Sequence, residues 1–269
     1  MNEQRKVWLG LGAALIAGSA MAENHSGEHD AVNSHSSHSA MQAAAATGGG
    51  EAEGAVDIDL TTNDAAFLGQ LGLVRGHLWV GVQLYKHGHK DMALTHMKHP
   101  GDELYAGLLP ALEARDNDGF ADELSALANA VENGESEETV EQRHRELEQA
   151  VATAENAADD SLKTALLGIE RMVRVAAEEY AIGVKNGEIV NAHEYQDAMG
   201  FVEIARIRLA NLTDAQRAEG PGIVDEVSAQ LELVRPLWPM LVPEGNIDGD
   251  ASTLYGAAAR IQLAAWDLD

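Results

Sequence analysis

The sequence predicts an all-α protein, a bundle of about seven to nine helices that contains a tetratricopeptide-like helical hairpin. Three observations carry that expectation. From residue 63 to 269 the apolar residues recur at i, i+3 and i+4 in segment after segment. Capping residues and Asn-Gly or Pro punctuation separate these segments. No stretch alternates apolar and polar residues with the period of two that a half-buried strand requires.

Asn63 opens the first helix, which runs through Phe67, Leu71, Val74 and Leu78 towards Tyr85. Gly88 turns the chain, and a short second helix is expected over residues 90–98. Because the residue before a proline disfavours helical geometry, the chain is expected to break at His99-Pro100. Pro100 can then open a third helix, with Asp102 and Glu103 in its first turn and Leu104, Leu108, Leu109 and Leu112 on its apolar face. Residues 120–131 form another, stopped by Asn133-Gly134.

Ser136 caps a long acidic helix ending near Asn156, and residues 162–185 continue the pattern with Leu166, Ile169, Val173 and Ala177. A turn at Asn186-Gly187 leads to Asn191, whose spacing to Glu194 suits a capping box. Thr213 with Gln216 marks a further short start, and residues 222–237 and 251–266 complete the set. Pro236, Pro239 and Pro243 make residues 236–250 a loop expected to pack across the bundle.

The N-terminus reads differently. Arg5 and Lys6, an apolar run over 7–18 too short to span a bilayer, and Ala20-Met21-Ala22 have the layout of a cleaved export signal, residues 1–22. Residues 23–60, rich in Gly, Ser, Ala and acidic side chains, are expected to be a disordered tail carrying His25, His29, His35 and His38, either a spacer or a flexible metal collector. Residues 63–269 then make up the helical domain, with one weak point of division at 133–136. A bacterial chain of this kind is expected in the periplasm, with no membrane span after the signal is removed.

The chain carries 18 basic and 44 acidic residues; without Glu3, Arg5 and Lys6 this becomes 16 and 43, a formal charge of −27. Such a surface disfavours nucleic acid and anionic lipid as partners and suits cations or simple solubility. With no cysteine, thiolate ligands, disulfides and lipid attachment are excluded.

Five of the eleven histidines lie within residues 77–99. In a hairpin turning at Gly88, His77 stands eleven residues before the turn and His99 eleven after, so the two are level and His96 is one turn away. His77, His96, His99 and Glu103 are therefore the candidate ligands of one transition-metal ion, a nitrogen and carboxylate set that does not distinguish Fe, Zn, Cu, Ni and Mn well. Against this stands a plainer reading. Gly81, Leu84, Gly88 and Ala93 match the small and apolar positions of a tetratricopeptide hairpin, and the protein could be an interaction module whose histidines are structural. His87 and His89 flank the turn and read as solvated.

Asn246-Ile247-Asp248-Gly249-Asp250 begins like a calcium loop but has Ala251 and Ala257 where the loop needs Gly and Glu, so an EF-hand is rejected. No nucleophile elbow, phosphate loop or His-Glu-x-x-His is present, and catalysis is not expected.

Two stretches together resemble the soluble periplasmic region associated with bacterial high-affinity iron permeases of the oxidase-linked type. One runs from Gly76-His77-Leu78 to His96-x-x-His99-Pro100-x-x-Glu103. The other runs from Glu179-Tyr180 through Lys185-Asn186-Gly187-Glu188-Ile189 to Glu194-Tyr195 and Phe201. The resemblance implies a helical periplasmic protein that handles iron, or a related metal, beside a membrane permease. It also implies Glu178, Glu179, Glu194 and Glu203 as secondary ligand candidates, although the residues themselves read first as ordinary solvated helix glutamates. The permease's own Arg-Glu-x-x-Glu motif is absent, so this chain is not the channel.

Overall fold

The computed structural model describes residues 58–268, apart from Glu244 and the side chains of Asp102 and Glu103. The expected export signal and nearly all of the histidine-bearing tail lie outside the described residues.

Helix α1, Asp64–Lys86, starts where Asn63 accepts a hydrogen bond from the Ala66 amide at 2.9 Å. It is apolar almost all round, with Phe67, Leu71, Val74, Leu78 and Leu84 fully buried, as a central helix must be. A Schellman turn ends it: Gly88 takes φ +82°, and the His89 and Gly88 amides donate to Leu84 O and Tyr85 O. Helix α2, Lys90–His99, returns antiparallel along α1. Gly81 lets the two approach, since a β-carbon there would lie 2.7 Å from the Met97 methyl.

The expected break at Pro100 does not occur. His99 keeps helical angles (φ −50°, ψ −51°), and the chain continues through a π-helical turn, Pro100–Leu104, into α3, Tyr105–Glu113. Proline's fixed φ, here −59°, already fits a helix. The turn beyond it widens so that the Tyr105 amide reaches back five residues to Pro100 O. Leu104, Leu108 and Leu112 face the core as expected, but Leu109 is exposed.

Helices α4 (Ala121–Glu132) and α5 (Glu137–Glu155) pack together beside α2 and α1, with Ser136 capping α5. Helix α6, Leu162–Gly183, ends in a two-residue hairpin, β1 (Val184–Lys185) with β2 (Glu188–Ile189). The positive φ angles of Asn186 and Gly187 are those of a type I′ turn, so Asn-Gly here builds a minimal strand pair that periodicity could not reveal. Then follow α7 (Ala192–Ala210), α8 (Asp214–Glu219), α9 (Pro221–Val234) with a 3-10 turn at Arg235–Leu237, and α10 (Ala251–Trp266).

The fold is all-α, with ten α-helices among the described residues against the seven to nine expected; the excess includes the six-residue α8, held by the Thr213–Gln216 capping box. Asp250, seen in sequence as part of an abortive calcium loop, is the N-cap of α10. The bundle centres on α6, which packs against α7, α10 and α1, while α9 lies on α10 and α7.

Four further contacts tie the bundle together. Gly76 of α1 meets Gly200 and Phe201 of α7 so closely that a β-carbon on Gly76 would sit 2.5 Å from the Phe201 ring. The loop after Leu237 crosses the bundle as expected, tied by Trp238 Nε1 to Tyr195 O at 3.0 Å and by the Tyr195 hydroxyl to Met240 O at 2.8 Å. Arg75, Glu148, Glu155 and Arg208 form a part-buried charged network that joins α1, α5 and α7. The folded part also starts earlier than composition suggests, because Leu60 O accepts from Arg115 at 3.0 Å and its side chain packs against the core.

Candidate metal centre

Helix α1 presents His77, α2 presents His96 and His99, and α7 presents His193 and Asp197, one helical turn apart on the same face. The glycine contact between α1 and α7 brings the two groups together. His77, His96 and Asp197 are completely buried. Both Nδ1 atoms address the same carboxylate oxygen: His77 Nδ1 lies 2.6 Å from Asp197 Oδ1 and His96 Nδ1 lies 2.9 Å from it. The His96 ring stacks on His193 with centroids 4.2 Å apart. The half-buried His99 ring fills the remaining side, 4.6 Å from His77 and 5.5 Å from His193.

The hydrogen bonds around His96 determine what its Nδ1 can do. Gln196 donates its amide nitrogen to Leu241 O at 3.1 Å, so its Oε1 faces His96 Nε2 at 3.0 Å. An amide oxygen only accepts, so His96 Nε2 carries a proton. Nδ1 of that ring then faces a carboxylate oxygen that also only accepts. The contact requires a cation between the two atoms or on the ring, either a second proton or a metal ion. The hydrogen bond to Gln196 fixes the His96 ring from outside, the kind of support that metal-ligating histidines have.

Burial pushes the Asp197 carboxyl up, but His77 and His96 outweigh it and hold the group well below its ordinary value. Burial pulls His193 down, and interaction with Glu194 and the charge of Asp197 more than offset this, leaving it raised. Asp197 Oδ2 and His193 Nε2 are buried without hydrogen-bond partners. Among the described residues two groups, His77 with His96 and Asp197, and His193 with Glu194 and Asp197, each hold potential ligand atoms within 4.8 Å of one another.

Of the residues singled out in sequence, His77, His96 and His99 are brought together. Glu103 falls in the π-helical turn, and its side chain lies outside the described residues. His87 and His89 are exposed, with His87 Nδ1 2.7 Å from Gln83 O at the hairpin tip. Glu194 reaches the cluster, 3.7 Å from His193 Nδ1, whereas Glu203 pairs with Arg206 at 3.0 Å. Sequence reasoning missed Asp197, His193 and Gln196. The only signal was the i, i+4 spacing of His193 and Asp197, which ordinary helix faces show as often.

Residues 158–265 match the family model described as the iron permease-associated 4-helix bundle domain. The matched segment holds α6 to α10, and with them His193, Glu194, Gln196 and Asp197. His77, His96 and His99 come from the hairpin that precedes it. The resemblance noted in sequence is thus met by its second stretch, while the first lies outside the match. Comparison with curated proteins and with solved structures gave no match. Among the described residues, no helix is long and apolar enough to cross a membrane.

Proposed function

We propose that this chain is a periplasmic iron-binding protein that works in iron uptake beside a membrane permease, holding its ion between His77, His96 and Asp197 with His99 alongside. The observation that carries the reading is the buried His96 Nδ1 facing Asp197 Oδ1 at 2.9 Å, with the far ring nitrogen already committed to Gln196. Imidazole and carboxylate without sulfur is a donor set suited to iron, and to other first-row metals. The match to an iron permease-associated domain supports iron within that range and a permease as the partner. The leader-like N-terminus supports export, and the net charge of −26 suits a protein that meets cations. The role is binding and transfer rather than catalysis.

The test is anaerobic titration of the untagged full chain with Fe(II). His96→Ala and Asp197→Asn are expected to lower affinity by at least the ~10–100-fold typical of disturbing a metal site's ligands or their supports. His87→Ala, changed at the exposed hairpin tip, should bind as the wild type does. The tail histidines are the same in every variant, so their contribution cancels. Unchanged Fe(II) binding in both His96→Ala and Asp197→Asn would overturn the assignment.

A further inference from the structure

Asp197 uses its two carboxylate oxygens unequally. Oδ1 takes both His77 and His96, whereas Oδ2, although buried, has no hydrogen-bond partner and faces His193 Nδ1 at 3.1 Å. The ion-pair contact with His193 is therefore all that Oδ2 has in place of a hydrogen bond. On the far side of the same ring, His193 Nε2 is buried without a hydrogen-bond partner. Glu194 adds a carboxylate there, and the potential ligand atoms of His193, Glu194 and Asp197 lie within 4.8 Å of one another.

We propose that the centre takes two metal ions, bridged by the Asp197 carboxylate: an inner ion on the Oδ1 side with His77 and His96, and an outer ion on the Oδ2 side with His193 and Glu194. This rests on the reading that His77, His96 and Asp197 hold an ion at all. The two positions differ in access. His77, His96 and Asp197 are sealed from solvent, while the side chains of His193 and Glu194 are 23% and 18% exposed. The outer position therefore borders water, which can complete its coordination, and lies where an ion would first meet the cluster. The His99 ring neighbours a histidine of each position, 4.6 Å from His77 and 5.5 Å from His193.

The experiment counts Fe(II) bound at saturation by equilibrium dialysis of the full chain under anaerobic conditions, in wild type, Asp197→Asn and a His193→Ala/Glu194→Ala double variant. Circular dichroism checks that each variant is folded. The expected result is two ions fewer in Asp197→Asn and one fewer in the double variant. If Asp197→Asn loses one ion and the double variant none, the bridged pair is overturned and the single-ion reading stands. If Asp197→Asn loses none, both fall. Iron-edge X-ray absorption of the wild type needs no variant: a bridged pair gives iron–iron scattering at about 3.5–4 Å. Its absence in the loaded protein would overturn the proposal.

Discussion

Gly200→Ala tests whether the close contact between α1 and α7 builds the centre. Gly200 stands within helix α7 at the level of Gly76, and an added β-carbon would run into the Gly76 carbonyl and lie 2.7 Å from a Val80 methyl. The first obstacle is backbone, which cannot rotate away as a side-chain tip can. On propensity alone, Gly to Ala in a helix is worth about 1 kcal/mol of stabilisation. Overpacking a filled interior costs about 1–3 kcal/mol, and a clash against main chain belongs at the upper end. The difference is a net loss of about 1–2 kcal/mol, or roughly 2–8 °C in Tm at ~2–4 °C per kcal/mol for a domain of this size.

The same displacement moves α1, and with it His77, whose 2.6 Å contact to Asp197 has no slack. Fe(II) affinity should therefore fall together with stability. Gly256→Ala is the matched control. It lies in α10, is exposed and would meet nothing within 4 Å, so only the propensity gain remains and Tm should rise. Thermal melts of the two variants, each with and without Fe(II), make the comparison. Equal Tm shifts of the same sign in both, or unchanged Fe(II) affinity in Gly200→Ala, would show that the glycine contact does not set the position of His77.

Two further outcomes follow from buried charge. Glu155→Gln leaves Arg208, which is 9% exposed, without the carboxylate that neutralises it; breaking a buried pair costs about 3–5 kcal/mol. Because Arg208 keeps Leu68 O at 2.7 Å and Arg75 keeps Glu148, a loss of about 2–3 kcal/mol in urea unfolding is expected, and a change below about 1 kcal/mol would contradict it. Burial pulls His144 below its ordinary value, with Glu148 opposing. The unfolded chain therefore binds the extra proton first as pH falls, so stability from this group is complete above about pH 6.5 and is lost as pH drops towards the folded value. His144→Gln should flatten that slope relative to wild type, and an unchanged difference in unfolding free energy between about pH 7.5 and 5.5 would count against it.

The helices were legible because their signals are local. Asn63, Ser136 and Thr213 cap where a side-chain oxygen three residues before a free amide is enough. Pro100 misled for the same reason: the rule for the residue before proline is a local preference, and tertiary packing of α2 and α3 along α1 overrides it through one widened turn. Half of the centre could be read because a hairpin converts sequence distance into level, which aligns His77 with His96 and His99 about Gly88. The other half could not. Asp197 stands 120 residues from His77, and what joins them is a pair of glycines on different helices, a contact that no periodicity encodes.

The division of the proposed ligands between the α1–α2 hairpin and helix α7 has a mechanical consequence. An ion held at the seam acts as a cross-link between chain segments about a hundred residues apart, one that a chelator removes without breaking a covalent bond. Its stabilising effect grows with concentration, about 2.7 kcal/mol at a hundred times Kd. That gain opposes separation of hairpin and bundle more than it opposes fraying elsewhere. The loaded and empty proteins would then differ chiefly in how readily the seam opens.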